Sequence, residues 1–313
     1  MKRNRGSILV LVLWTFSLLA AFSAALGFGV RQKAALLDRL DTLMSLRFMS
    51  SSDVEYARGV LKALDKPEDA YRALNEPWAT DYGMTDEERK INLNKADAPT
   101  LSRLLQEAAG LSESDAQAIA YALVDWRDSD SSYSSAGDGA EDSDYAEFPL
   151  PYEAKDAPYE VLEEMLLVKG MTRELFDKLK EFVTLYGSGA VNINTAPHEV
   201  LTAIGLSRGV VDKIIHFRSG PDAKPGTGDD GIFAQIENVT AVLNKAVPPL
   251  DANEKVEIEN MISKGKLTTS SVYFRIHSVG VLDKNKASME IEAVVDHTGK
   301  IVSSRSCGVQ WRS

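Results

Sequence analysis

Hydrophobic and polar residues change their spacing several times along the chain, and each change predicts an element. From Ser7 to Val30 there is no charged side chain: SILVLVLWTFSLLAAFSAALGFGV. As a helix rising about 1.5 Å per residue this run spans roughly 36 Å, enough to cross a hydrocarbon core of about 30 Å. Arg31 ends it. Leu36, Leu37, Leu40, Leu43, Met44, Phe48, Val54, Ala57, Leu61 and Leu64 then recur mostly three or four positions apart, which is one face of a helix. No Pro or Gly interrupts Arg31 to Ser52. The apolar run and its amphipathic continuation are therefore predicted to be one helix, from Ser7 to about Asp65 and on the order of 90 Å long.

The pattern loses its period over Lys66 to Arg89, which holds Pro67, Pro77 and Trp78. Lys90-Ile91-Asn92-Leu93-Asn94 then alternates like a short strand and is expected to open a sheet. Residues 94 to about 268 read as largely helical, and two pieces of this stretch are alike. Ile91 to Arg127 and Val191 to Arg218 both carry Asn-(Leu or Ile)-Asn-x-Ala, then Leu101 or Leu201, then Gly110-Leu111-Ser112 or Gly205-Leu206-Ser207, then a helix ending at Arg. Each is predicted to be a helical hairpin, with Pro99 or Pro197 in the first turn and Ser112 or Ser207 capping the second helix. Ala157 to Tyr186 supplies further helices around a Gly170-Met171-Thr172 turn, and Phe233 to Val247 and Asn253 to Lys264 supply two more. From Val272 the period becomes two. Val272, Phe274 and Ile276 alternate with Tyr273, Arg275 and His277. Ala287, Met289, Ile291, Ala293 and Val295 form one face against Ser288, Glu290 and Glu292. Turns are expected at Asp283-Lys284-Asn285 and Asp296 to Gly299, before a strand from Ile301 to Arg305. This is an antiparallel meander with one buried face, packed on the amphipathic half of the long helix.

Charge gives the chain a direction. Lys2, Arg3 and Arg5 precede the apolar run in a chain of formal net charge -11. Positive charge before the span and an acidic body after it put Met1 on the cytoplasmic side and the bulk of the chain outside. Two readings of the start compete: a secretory signal cut near Ser23-Ala24-Ala25, or a short leader cut at Gly6 with the apolar run kept as an anchor. The uninterrupted continuation into a long helix favours the second. Cys307 is the only cysteine, so no intrachain disulfide forms. The four His, at 198, 216, 277 and 297, have no ligand or catalytic spacing. There is no nucleophile–base spacing, no P-loop and no dinucleotide fingerprint, so a non-enzymatic role is expected.

The densest charge runs from Asp125 to Glu147, where eight carboxylates share 23 residues with one Arg. Asp125 and Asp128 close a helix whose dipole already disfavours negative charge. Asp130, Glu141, Asp142 and Asp144 follow around a Gly-rich loop. From charge alone the segment is either a solvated acidic loop or a site for a divalent cation, and oxygen-only ligands suit calcium. The EF-hand pattern is absent. Asp222 to Asp230 reads as a second, solvated turn.

The basic leader ending in Gly6, the apolar helix from Ser7 and its amphipathic continuation resemble the type IV pilin and pseudopilin superfamily. That resemblance implies cleavage after Gly6 by a prepilin peptidase and methylation of the new amino terminus at Ser7. Most pilins carry Glu as the fifth mature residue, thought to pair with the amino terminus of a neighbouring subunit. Here the position is Leu11. An unpartnered buried charge is costly, so its absence points to the tip of the fibre. The hairpins, the missing Glu and the D-W-x-D-x-D and G-A-E-D segments together resemble the K-type minor pseudopilin of type II secretion. That family implies an α+β fold: a pilin-like long N-terminal helix packed on an antiparallel sheet, with a large inserted all-α domain containing helix-hairpin-helix-like repeats. The expected division is leader 1–6, transmembrane part 7–30, amphipathic helix and first strands 31–92, inserted helical domain 93–268 and final strands 269–313. The resemblance further implies calcium at the 125–144 carboxylates, I-type and J-type minor pseudopilins as partners, and contact with secreted substrates or the outer-membrane secretin. It places the anchor in the inner membrane and the main domain in the periplasm.

The hairpins also resemble the helix-hairpin-helix module, some members of which bind DNA, so the rival is a membrane-anchored DNA-binding protein of a competence or uptake system. Asn94 to Thr268 carries 16 Lys and Arg against 30 Asp and Glu, a net of -14. Phosphate contact draws its affinity from cations, so such a module is repelled by DNA.

Overall fold

The computed structural model describes residues 5–63, 82–134, 139–223, 227–245, 248–282 and 287–311. Helix α1, Arg5–Ala63, is continuous over 59 residues, about 90 Å at 1.5 Å per residue. It is the one helix among the described residues that is long and apolar enough to cross a membrane. Residues 8–41 lie almost wholly open to solvent, and burial begins at Thr42. Leu46, Ser50, Val54, Ala57 and Leu61, spaced four, four, three and four apart, are the buried line of its second half.

Strand β1, Tyr82–Asp86, follows. The short β2, Ile91–Asn92, leads into hairpin helices α2, Ala98–Ala109, and α3, Glu113–Asp125. A single turn, α4, spans Asp142–Tyr145, and a 3-10 helix spans Leu162–Leu167. Then come α5, Arg173–Leu179; β3, Val183–Thr184; β4, Val191–Asn192; and the second hairpin, α6, His198–Ala203, with α7, Arg208–Arg218. After α8, Val239–Leu243, and α9, Ala252–Ser263, the chain returns through β5, Leu267–Thr268. It ends in β6, Tyr273–Leu282; β7, Ala287–Asp296; and β8, Ile301–Trp311.

The sheet has order β1-β6-β7-β8 and is antiparallel throughout. Its registers include Met84↔Ile276, Ile276↔Ala293 and Ala293↔Ser304. Helix α1 lies across one face, where Val54, Ala57 and Leu61 meet Met84, Phe274, Ile276, Ile291, Ala293 and Val295. Helix and sheet also approach closely at Gly280. A Cβ there would strike the Ser50 hydroxyl and the Leu46 carbonyl. Ser50 Oγ instead accepts from Gly280 N at 2.9 Å and donates to Met289 O at 3.1 Å, so a helix hydroxyl is wired into the sheet backbone.

Three expectations are corrected. Ile91–Asn92 does not open the sheet. It pairs in parallel with Val183–Thr184 inside the helical body, and the strand that opens the sheet is Tyr82–Asp86, within the stretch that has no sequence period. The polar Thr85 and the consecutive acids Asp86 to Glu88 break the alternation there. The helical body is also less helical than its composition suggests. Two parallel two-stranded ladders, β2–β3 and β4–β5, staple it, and the segment before Gly170 forms only the 3-10 turn Leu162–Leu167. Finally, Phe233 lies outside helix, in the buried core, and the helix that follows it is the short Val239–Leu243. The expected helix end at Asp65, most of Lys66 to Arg89, the Gly137-Asp138 part of the acidic loop, Val247 and the turn at Asp283 to Asn285 lie outside the described residues.

The two hairpins are built alike. Asn92 Oδ1 and Asn192 Oδ1 each accept from the amide two residues on, at 2.9 and 3.0 Å. Asn94 brackets a distant chain, donating to Tyr159 O at 3.0 Å and accepting from Tyr159 N at 2.8 Å. Asn194 does the same with Phe233, at 3.0 and 2.9 Å, and also donates to Thr269 O. Arg127 and Arg218 close each repeat by donating to the carbonyls of Ala96 and Ala196. Asp97 caps α2 through Thr100 N, and Ser112 caps α3 through Asp115 N. Ser207 makes no side-chain cap bond.

Candidate functional site

The acidic segment begins where α3 stops. Asp125, the last residue of that helix, is fully buried. Its two oxygens accept from Ser134 N and Ala140 N, both at 3.0 Å, so one carboxylate holds both described ends of the loop. Gly139 makes this possible: its φ is +110°, and a Cβ would overlap Asp125 Oδ2. Trp126 anchors the base, edge-on to Tyr145 at 5.3 Å and to Tyr152 at 6.2 Å, with Phe148 completing the aromatic cluster. The base of the loop is therefore set by burial and rigid rings, while residues 129–134 are exposed.

Three of the six expected ligands converge. Asp128, Asp130 and Glu141 each present a carboxylate oxygen within 4.8 Å of the others. Glu141 is only 3% exposed, yet neither of its oxygens has a hydrogen-bond partner among the described residues, and Asp128 Oδ1 is also buried and unpartnered. Burial, reinforced by the charges of Asp125, Asp128, Asp156 and Asp130, pushes the Glu141 carboxyl up to about 7. Burial, with Asp125 and Asp130, likewise raises Asp128. Buried carboxylates are normally hydrogen-bonded, paired or metal-bound. Orphaned oxygens of Asp128 and Glu141, converging with the exposed carboxylate of Asp130, fit a hard, oxygen-seeking divalent cation.

The other three expected ligands have different engagements. Asp125 binds loop amides. Asp142 Oδ1 accepts from Ala154 N at 2.8 Å. Asp144 accepts from Lys169 Nζ at 2.6 Å, from Tyr133 Oη at 2.8 Å and from Glu141 N at 3.0 Å. Burial opposes ionisation of Asp144, but the bonds from Lys169, Glu141 and Tyr133 hold it below the usual carboxylate range. Asp156, which adds to the field on Glu141, was not singled out by sequence. It lies beyond the acidic run, with φ +51° and its amide bonded to Trp126 O at 3.1 Å. The signal for it would have been a non-Gly residue at a turn, which composition does not mark.

At the other end of the molecule, Gly6 and Ser7 lie in the first turns of α1, and Leu11 is on its exposed apolar run. Met44 and Phe48 are two positions from Leu46, hence on the side of the helix away from the sheet, and both are exposed.

Residues 85–188, which contain the first hairpin and the carboxylate cluster, match the family model of Type II secretion system (T2SS), protein K. No curated protein matches the chain. Among solved structures, a chain of the GspK-GspI-GspJ complex from enterotoxigenic Escherichia coli Type 2 Secretion System shares the fold, with a TM-score of 0.61 and 19% identity over 90% of this chain and 99% of that one. The long helix, the antiparallel sheet and the inserted helical body are those of that fold, and the stretch from 85 to 188, which bears the first hairpin and the carboxylate loop, is similar to protein K of the type II secretion system.

Proposed function

We propose that the chain is a structural, non-catalytic subunit at the tip of the pseudopilus, and that it initiates or caps the fibre during export across the outer membrane. The observation that carries this is the rod. Its apolar first half is exposed, its second half keeps Leu37, Met44 and Phe48 exposed away from the sheet, and no acid stands at Leu11. Such a surface is buried only among sister rods or in lipid, in keeping with a single-pass anchor. The neutral Leu11 favours a subunit with none above it. The GspK-GspI-GspJ complex supports I-type and J-type subunits as the partners. A prepilin peptidase is expected to cut after Gly6 and methylate Ser7, leaving the main domain periplasmic. Contact with secreted substrates or the secretin is a role for the bulky helical body. The rival DNA-binding reading is disfavoured by the acidity of that body. Mass spectrometry of the native amino terminus tests the reading: a methylated Ser7 start is expected, and a start near Leu26 overturns it.

Asp128, Asp130 and Glu141 would hold calcium, with Asp125 shaping the loop behind them. A bound cation supplies the positive charge that the converging acids Asp128, Asp130 and Glu141 lack and ties the loop after α3 to the start of α4. Calorimetric titration is expected to show calcium binding that is lost in Glu141→Gln. Absence of heat and of any thermal shift in the wild type removes the site.

A further inference from the structure

The sheet and the helical body are joined by two chain crossings, and three consecutive acids sit between them. Asp86, Glu87 and Glu88 are all buried. Each reaches a different group of elements. Asp86 Oδ2 accepts from Ser271 Oγ on the returning chain, from Thr195 Oγ1 at 2.8 Å and from Asn192 Nδ2 at 3.2 Å in the second repeat. Glu87 accepts from Arg275 Nε in the sheet at 2.6 Å and from Thr184 Oγ1 in the first repeat's ladder. Glu88 Oε2 accepts from Tyr273 N at 3.2 Å, while its carbonyl accepts from Asn192 N at 2.8 Å. Gly187 packs so close to the Glu88 carboxyl that a Cβ there would lie 3.1 Å from Oε1. The two crossings are themselves paired, Glu87 N to Tyr273 O at 2.9 Å.

Charge balance at this joint is uneven. The cations facing it, Lys90 and Arg275, are committed to Glu87, and Arg275 is shared with Glu292 on β7. Arg89 acts on Asp86 from a distance, and Glu181 on Lys90. Tyr186 and Tyr273, with rings 5.9 Å apart, also lie at the joint. Asp86 Oδ1 is buried without a partner among the described residues. Asp86 and Glu88 are thus buried without a dedicated cation, and the cations at the joint serve Glu87 between them.

We propose that Asp86, Glu87 and Glu88 form a proton-responsive lock that fixes the helical body on the sheet in mild acid and loosens as the pH rises through neutrality. Burial, with Asp86 beside it, pushes Glu88 up to about 7. A folded-state value above the ordinary one means that the closed joint binds the extra proton. Its tightness is therefore present in mild acid and declines as the proton is lost. Glu87, held below its usual range against burial by Arg275, Lys90 and Thr184, has the opposite sign and keeps its share until strongly acid pH.

Hydrogen–deuterium exchange on the full-length protein in detergent tests the lock. With an ordinary carboxylate in the opened joint, the opening constant rises about tenfold from pH 6 to pH 8. Protection of peptides covering 86–92, 191–195 and 271–275, corrected for the intrinsic chemical rate, is expected to fall by about that factor, while the hairpin 98–125 is unchanged. Glu88→Gln is expected to abolish the pH dependence. Equal wild-type protection at both pH values, or a fall shared by the hairpin, overturns the proposal even if that variant does not fold. So does a fall that persists in Glu88→Gln.

Discussion

Gly139 is the residue on which the carboxylate loop turns. It combines a left-handed φ with a carboxylate oxygen in the space a Cβ would take. Gly139→Ala is expected to push Asp125 off the Ala140 amide and to cost about 2–4 kcal/mol, the sum of backbone strain and a buried group left unmade. Urea unfolding checks the stability, and calcium titration of the same variant should show weakened binding. The contrast with Glu141 is instructive. Asp125 and Glu141 are both buried acids of the same run, yet one is satisfied by amides and the other is orphaned. Sequence offered both as ligands because charge density does not distinguish an acid that accepts from its own loop from one that faces a gap. It also included Asp142 and Asp144, whose partners Ala154 and Lys169 lie 12 and 25 positions away.

At the scale of elements, the repeat in the helical body was readable and its purpose was not. Asn-x-Asn-x-Ala appears twice in sequence, but the chains it braces are 65, 39 and 75 positions from the asparagines that hold them. A side-chain amide is suited to this because it donates and accepts at once, mimicking a strand neighbour where none exists. Asn194 is 2% exposed and satisfies three backbone groups. Asn194→Ala is expected to destabilise the helical body by about 2–4 kcal/mol, read as a lower urea midpoint, because the backbone groups stay buried without partners. Asn194→Asp should recover part of that, keeping the acceptor for Phe233 N and losing the two donors. The same logic accounts for β2–β3 and β4–β5. Ladders two residues long are unstable alone, and here each is continued by an asparagine side chain, Asn92 onto Tyr186 O and Gly187 O and Asn194 onto Thr269 O.

For the whole molecule, the division of labour follows from where free energy is gained. The rod and the sheet share a modest core, while the helical body has its own larger one built on Leu101, Leu104, Leu123, Leu201 and Ile214. Two such cores are joined by two chain crossings at Asp86 to Glu88 and by the Arg305–Glu163 ion pair between the last strand and the helical body. This suits the fibre subunit proposed for the chain. The amino acid order alone determined the long helix, the hairpins, the final antiparallel strands and the acidic loop, because each is a local period, a cap or a density of charge within one segment. Tertiary structure alone decided which strand opens the sheet, which acids converge and which are consumed by amides, and that three buried carboxylates lie at the joint. Those outcomes depend on partners far apart in the chain, and burial, which sets the cost of every unpaired charge, exists only once the segments have packed.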